Sequence, residues 1–321
     1  MTDGLIHALL ITESGKPQAL DWNTVRTWKP EHGLLWLHLD ANADEVRRWM
    51  DHDGRLPSVV PDAILAPDSR PRTTPVDGGV LLVLRGVNLN PGADPEDMVS
   101  VRLWVEPRRV VSTQIRRALS VEDVAESTKL QPLAGVGDLV VRLADRLVQR
   151  LTDVLDTVEE RADAVERTVT RTPDQALRTG LADLRRETIA LRRYLAPQRD
   201  ALARLAGEPF PWLLDLDRQR LREINDRLTR HVEDLDAVRE RMTVAQEELL
   251  SHLSDQLNRR MYVLSVIAAM FLPLGFLTGL LGINLGGIPG AESPVGFTAF
   301  SALLGVLMVF QLWFFRSRGW F

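Results

Sequence analysis

The residues best suited to holding an ion lie near the C-terminus, in the run Gly282-Ile283-Asn284. The side chain of Asn284 offers a carbonyl oxygen and an amide group, both uncharged. A ring of such carbonyls can hold a hydrated cation through its water molecules without removing them. The same spacing also fits a glycine that ends a helix and is followed by an ordinary turn. Both interpretations require a helix directly before Gly282.

Carboxylates also occur upstream of this run, at Glu247, Glu248 and Asp255. In a symmetric oligomer each position would form an acidic ring that concentrates cations near the mouth of a funnel or pore. A solvated helix face is the alternative explanation. Among the six scattered histidines, His252 lies three residues before Asp255, and a dehydrated zinc site there is a further alternative.

Composition narrows the classes of function. The chain has 321 residues, no cysteine and a formal net charge of −5. Disulfides, thiolate zinc sites and iron–sulfur clusters are therefore excluded. The acidic balance argues against a nucleic-acid partner. The sequence also lacks the phosphate-binding, dinucleotide-binding and hydrolase motifs GxxxxGK[ST], GxGxxG, HExxH and GxSxG, so we do not expect an enzyme.

Two uncharged apolar runs lie near the C-terminus, at Tyr262–Leu281 and Val295–Phe315. A helix rises about 1.5 Å per residue, so each run can cross a hydrocarbon core of about 30 Å. A pair of buried core helices is the alternative. From Met261 to Phe321 the charged residues are Glu292, Arg316 and Arg318. The pattern predicts a multi-pass membrane protein of the inner or plasma membrane.

Basic residues predict the orientation of the two spans. Arg259 and Arg260 precede the first span, and Arg316 and Arg318 follow the second, whereas the loop 282–294 contains neither Lys nor Arg. The positive-inside rule then places both termini in the cytoplasm and the loop outside. The N-terminal stretch has no basic region and is not expected to be a signal peptide.

The N-terminal part is predicted to be an α/β domain. Strands are expected where runs rich in Val, Leu and Trp are bounded by Gly, Pro, Asp or Asn, at Leu5–Thr12, Gly33–Leu39, Val80–Val87, Val99–Val105 and Val110–Gln114. Short helices are expected at Ala43–Met50 and Pro61–Ala66. We interpret this domain as regulatory or structural.

A helical hairpin is predicted from about Asp138 to Ala206, because apolar residues recur every three or four positions. Its second helix is expected to begin at the capping box Thr172–Gln175 and to kink or end at Pro197. A third helix should run from about Asp217 to Leu281 with one continuous apolar stripe. Such a stripe must pack on the hairpin or on copies of the chain. Two spans per chain cannot enclose a pore, so any transport requires an oligomer.

These features together resemble the CorA family of divalent-cation transporters, and more closely its zinc transport branch, ZntB. The residues that carry the resemblance are Trp36–Asp40, Val111–Thr113, Arg193–Asp200, Pro211-Trp212, Phe271–Pro273, Phe276–Leu280 and Gly282–Gly290. The stretch GINLGGIPG is the most specific of these.

The resemblance implies an α+β membrane protein that forms a homopentameric funnel. Its parts would be a cytoplasmic α/β domain at 1–130, a helical hairpin and stalk at 131–260, and two transmembrane helices at 261–321. The first span would line the pore, with Asn284 at the outer mouth holding a hydrated ion. The other pore residues would be Gly282, Ile283, Gly279, Gly275, Leu272, Ala268, Leu264, Met261 and Asn258.

The resemblance also implies zinc uptake, driven by a proton gradient. Magnesium-transporting relatives have Met in the middle of the Gly-x-Asn motif and an acid after the following proline, whereas this chain has Ile283 and Gly290. No resident cofactor is expected, since zinc would be the cargo. Without an acid, His or Cys in the span, the ion should cross largely hydrated and pass a hydrophobic constriction near Leu272 and Met261. A magnesium or cobalt channel and a membrane-anchored sensor or scaffold without ion flux are the alternatives.

Overall fold

The computed structural model of the chain describes residues 3–12, 16–67, 69–169, 175–282, 288 and 293–319. Its contacts divide the chain into two compact units, Met1–Gln246 and Glu247–Phe321. The domain boundaries expected from the sequence stay a prediction.

The first unit contains one seven-stranded sheet among its described residues. The strands are β1 (Leu5–Ile11), β2 (Pro17–Ala19), β3 (Leu34–Asp40), β4 (Arg72–Val76), β5 (Gly79–Gly86), β6 (Val99–Glu106) and β7 (Arg109–Gln114). They are ordered β2-β1-β3-β7-β6-β5-β4. Only β3 and β7 pair in parallel among these strands; the other neighbours are antiparallel. The five strands expected from the sequence are confirmed to within one residue at each end.

Short helices cover one face of the sheet. They are α1 (Trp22–Thr27), α2 (Asp44–Arg48), which continues as a π-helical turn at Trp49–Asp53, and α3 (Val60–Leu65). A 3₁₀ turn lies at Pro30–His32. Trp22, Trp49 and Ile64 form one apolar cluster with Leu37 of β3 and Trp104 of β6. Burying these large side chains is the main favourable term for this layer.

Long helices follow the sheet in the chain. They are α4 (Leu119–Leu130), α5 (Val136–Val169), α6 (Gln175–Gly207) and α7 (Asp215–Leu281). The apolar stripes that predicted α5 and α6 are almost entirely buried, which confirms the two helices of the hairpin. The expected capping box lies mostly outside the described residues, and α6 begins at its last member, Gln175.

The possibility that α6 ends at Pro197 is wrong, because the helix continues to Gly207. Proline removes one backbone hydrogen bond, but the following turns pack on the sheet and supply other bonds. Thr73 Oγ1 donates to the carbonyl oxygen of Ala201 at 2.7 Å, and Gln198 Oε1 accepts from the backbone N–H of Arg85 at 2.6 Å. Packing after the proline therefore keeps the helix intact.

The N-terminal part of α7 is tied to α5 by buried apolar residues and by ion pairs. Leu228 and Leu235 are 0% and 1% exposed. The guanidinium of Arg241 donates to Glu166 of α5 at 2.7 Å and also contacts Asp163. These contacts explain why the stripe needs no second copy of the chain over this part of α7.

The second unit contains the end of α7 and the helix α8 (Gly296–Ser317). These bounds agree closely with the two apolar runs in the sequence. The loop between the helices lies largely outside the described residues.

Candidate functional site

The end of α7 and α8 are the described helices that are long and apolar enough to cross a membrane. In the most apolar part of each helix, only 6% and 0% of the residues are buried inside the chain. Nearly all of this apolar surface is thus left for lipid or for other copies of the protein.

One face of α7 is less exposed than the rest of its apolar part. The residues on it are Val266, Ala269, Met270, Pro273, Leu274 and Leu277. The least exposed residues of α8 likewise form a stripe, Gly296, Phe300, Leu304, Leu307, Gln311 and Phe315. Both sets recur every three or four positions, which is one side of a helix. We infer that the two helices pack along these faces.

The residues expected to line a pore lie on a different face of α7. The described ones are Asn258, Met261, Leu264, Ala268, Leu272, Gly275, Gly279 and, directly after the helix, Gly282, and all eight are exposed. We call this the pore face. At 3.6 residues per turn, its centre is rotated by about 160° around the α7 axis from the centre of the less exposed face. Within the described part of the helix, the pore face carries no ionisable side chain.

The Gly-x-Asn motif is only partly described, because Ile283 and Asn284 lie outside the described residues. Gly282 follows the last residue of α7, and its backbone N–H donates to the carbonyl oxygen of Thr278 at 2.9 Å. A Cβ at position 282 would approach that oxygen to 2.7 Å. The glycine is therefore required by the backbone at this helix end, whatever else the motif does.

Two residues of the span affect backbone hydrogen bonding. Pro273 has no N–H and removes the bond to the carbonyl of Ala269, yet α7 continues through it. The Thr278 hydroxyl donates to the carbonyl oxygens of Leu274 and Gly275, both at 3.0 Å. The hydroxyl hydrogen is thus used inside the helix.

The three acidic residues proposed for the funnel are all exposed but do not share one face. At 3.6 residues per turn, Glu247 lies roughly 55° from the centre of the pore face, whereas Glu248 and Asp255 lie more than about 130° from it. His252 Nε2 is 3.6 Å from Glu248 Oε1. Among the described residues no group of three or more His, Asp or Glu side chains could hold a metal ion.

A buried histidine pair in the first unit was not singled out from the sequence. His7 of β1 and His38 of β3 stack with ring centroids 6.1 Å apart. His38 Nδ1 lies 2.9 Å from Ser112 Oγ. Complete burial lowers the pKa of His38 to about 4, and burial also lowers the pKa of His7. Both imidazoles are therefore neutral at pH 7.

Comparison with known proteins shows which family has this architecture. A family model described as CorA-like Mg²⁺ transporter protein matches residues 31–317. The chain belongs to the CorA family. Similar proteins include the divalent cation transporter CmaX of Pseudomonas aeruginosa, which is 41% identical over 99% of this chain and 97% of its own length. The zinc transport protein ZntB of Pectobacterium carotovorum subsp. carotovorum is 35% identical over 99% and 96%.

Solved structures agree with this assignment to the CorA family. The structure of full-length CmaX matches with a TM-score of 0.85 at 38% identity, over 98% of each chain. The complete structure of the CorA magnesium transporter from Methanocaldococcus jannaschii matches with a TM-score of 0.83 over 98% of each chain, and at 17% identity it supports the fold alone. This CorA-family chain is thus a divalent-cation transporter with two apolar C-terminal helices, and it is not an enzyme.

Proposed function

We propose that this protein takes up zinc across the inner membrane through a central pore formed by five copies of the pore face. The observation that carries the proposal is that face itself, which is exposed, uncharged in its described part and turned away from α8. Both termini would lie in the cytoplasm, as the basic residues beside the spans predict.

An oligomer is supported by the change in burial along the apolar stripe of α7. The stripe is buried as far as Leu249, which is 1% exposed, whereas Leu257 and Met261 are 60% and 67% exposed. Apolar residues that continue a packed stripe favour burial against another surface. Neighbouring copies of α7 would supply that surface around the axis; the number five rests on the family resemblance.

The chemistry of the pore face favours a hydrated ion. Zinc held in an inner-shell site needs His, carboxylate or thiolate ligands, and the described pore face has none. Glycines at positions 275 and 279 would leave room for an ion with its waters, while Leu272 and Met261 would form apolar constrictions that gate by excluding water. Asn284 carbonyls at the outer mouth would hold the ion through its hydration shell.

Zinc as the cargo is supported by relatives that are zinc transport proteins. The ZntB protein of Yersinia pseudotuberculosis is 38% identical over 89% of this chain, and its name states zinc transport. Ile283 in the middle of the Gly-x-Asn motif adds to this. A proton gradient would drive uptake, and since the described parts of the spans contain no His or carboxylate, the proton would travel through pore water or by a cytoplasmic group.

Ion flux in reconstituted vesicles tests the proposal. We expect zinc uptake by the wild-type protein to rise when the proton gradient points in the same direction, and Asn284→Ala to lower it at least tenfold. Thr298→Ala is a matched control in α8 and should leave uptake unchanged. Magnesium uptake without zinc uptake would overturn the zinc assignment, and no flux of zinc, magnesium or cobalt would overturn the pore.

A further inference from the structure

A cavity of about 360 Å³ lies in the first unit, at the end of the sheet where β6 turns into β7. Three segments form most of its walls: the end of α1, the π-helical turn after α2, and the β6–β7 turn Glu106–Arg109. We call it the tryptophan–arginine cavity, after Trp28, Trp49, Arg26, Arg55, Arg108 and Arg109, which line it. Its volume falls within the range of small-molecule sites.

Two of the four arginines are already paired. Arg109 donates to both carboxylate oxygens of Glu106, at 2.6 and 3.0 Å. Arg26 contacts Glu45 at 2.6 Å and Asp53 at 3.4 Å. The two carboxylates that line the cavity, Glu106 and Asp53, are thus both neutralised.

The other two arginines are uncompensated. The side chains of Arg55 and Arg108 are exposed and form no ion pair with any described residue. Two positive charges therefore remain at the rim of a partly apolar cavity. Guanidinium groups in this setting suit phosphate or carboxylate oxygens, which they bind through paired hydrogen bonds.

Trp28 and Trp49 supply the aromatic part of the wall. The Arg109 guanidinium lies 5.7 Å from the centroid of the Trp28 ring, and Trp49 is 3% exposed. The indole N–H groups of Trp28 and Trp49 are buried and have no acceptor in the described part of the protein. A buried donor without an acceptor is unfavourable and calls for an explanation. The half-buried indole of Trp28 favours an aromatic ring as its neighbour, with the almost fully buried Trp49 lying deeper in the wall.

The turn that presents Arg55 is held in an unusual conformation. Arg55 has φ of 49°, which is rare for a residue other than glycine. The carbonyl oxygen of the preceding residue, Gly54, accepts a hydrogen bond of 2.7 Å from Arg109 Nη1. The same arginine thus contacts the Trp28 ring and fixes the turn. Such strain persists where the surrounding structure imposes it, often at binding sites.

We propose that the tryptophan–arginine cavity binds a small organic anion that carries an aromatic ring, of the size of a purine mononucleotide. The ring packs against the tryptophan wall, and the phosphate pairs with Arg55 and Arg108. The proposal concerns the first unit alone and does not depend on which ion the protein transports.

Isothermal titration calorimetry on the full-length protein in detergent tests this site, with adenosine 5′-monophosphate, adenosine and inorganic phosphate as separate probes. We expect the mononucleotide to bind at least tenfold more tightly than either fragment. Arg55→Asn and Arg108→Gln should each weaken it at least fivefold; asparagine is chosen because it tolerates positive φ. Arg222→Gln removes an exposed arginine on α7 and should change nothing.

Four results of these titrations would contradict the proposed site. No binding of the mononucleotide at roughly 1 mM overturns it. Adenosine binding as tightly overturns the role of the arginines, and phosphate binding as tightly overturns the role of the tryptophans. Equal weakening by Arg222→Gln means that the anion responds only to net charge, which also overturns the site. Thermal unfolding of each variant checks that the fold is intact.

Discussion

At the scale of single residues, the pore face is notable for the chemistry that it lacks. Its described members are apolar, small or neutral, so this face offers a cation no charged ligand. A charge effect would have to come from outside the span, and of the three acids proposed for the funnel Glu247 is the one nearest in direction to the pore face.

Glu247→Gln should slow cation uptake about threefold to tenfold at low ionic strength, because it removes one negative charge per subunit near the pore entrance. The effect should fade as salt screens the charge. Asp255→Asn removes the same charge from the other side of α7 and is the matched control. Uptake measured in vesicles over a range of salt concentrations checks this. Equal slowing by both variants would contradict a ring formed by Glu247.

His38 should make the first unit less stable in acid. Its pKa is about 4 in the folded protein against 6.5 for an ordinary histidine, so the unfolded chain binds more protons between these values. Stability is therefore greatest above pH 6.5 and is lost as the pH falls, by about 2 kcal/mol near pH 5. His7, with its lowered pKa, adds to the loss.

Thermal unfolding at pH 7.5 and at about pH 5 checks this prediction. His38→Gln should show a smaller drop in Tm than the wild type, whereas His32→Gln, which alters an exposed histidine, should show the wild-type drop. The same drop in His38→Gln as in the wild type would mean that the buried imidazole is not the titrating group.

At the scale of elements, α7 serves two purposes with one apolar stripe. Its first part is buried inside the chain, and the later part is exposed and uncharged. The periodicity is the same throughout, so the sequence pattern alone does not show where internal packing ends. Substitutions in the buried part of the stripe should therefore affect the stability of the fold, whereas substitutions in the exposed part should affect the oligomer.

Leu228→Ala should destabilise the first unit by about 2–5 kcal/mol, because it opens a cavity at a residue that is 0% exposed. Leu257→Ala changes a residue that is 60% exposed and should leave the unfolding temperature nearly unchanged while weakening the oligomer. Unfolding by circular dichroism and native mass in detergent distinguish the two effects. An equally large loss of fold stability in Leu257→Ala would contradict this division of α7.

Sequence reasoning found the elements whose pattern is strong and missed the weak ones. The central strands are continuous Val and Leu runs, and α5 and α6 have long apolar stripes, so both kinds were predicted. The strands β2 and β4 were missed because they are short and contain Pro17 and Pro75, which are tolerated at sheet edges. For α1 the available signal was Asp21, which caps it by accepting from the Thr24 N–H at 2.9 Å.

Of the two candidate sites, the pore face was predictable from the sequence and the tryptophan–arginine cavity was not. Helical spacing and the family resemblance indicated the pore face, since both depend on sequence order along one helix. The tryptophan–arginine cavity joins residues from three separate segments, and no local pattern marks such a convergence. The paired and unpaired arginines became distinguishable only through their contacts.

At the scale of the whole molecule, a single chain leaves most of its apolar helical surface uncovered. The first unit has its own buried core, whereas the apolar parts of α7 and α8 are almost wholly unburied. A symmetric assembly inside a bilayer would give every part of this surface a partner, with lipid on the outside and the pore face at the axis.

Because the sequence contains no cysteine, a single introduced thiol tests directly whether ions pass along the pore face. Gly279→Cys and Gly305→Cys each place one thiol where an added Cβ meets no described atom within 4 Å, the first on the pore face and the second on α8. A charged, membrane-impermeant thiol reagent added to vesicles should abolish zinc uptake by Gly279→Cys and leave uptake by Gly305→Cys and the wild type unchanged. Undiminished uptake by a fully labelled Gly279→Cys protein would contradict the account.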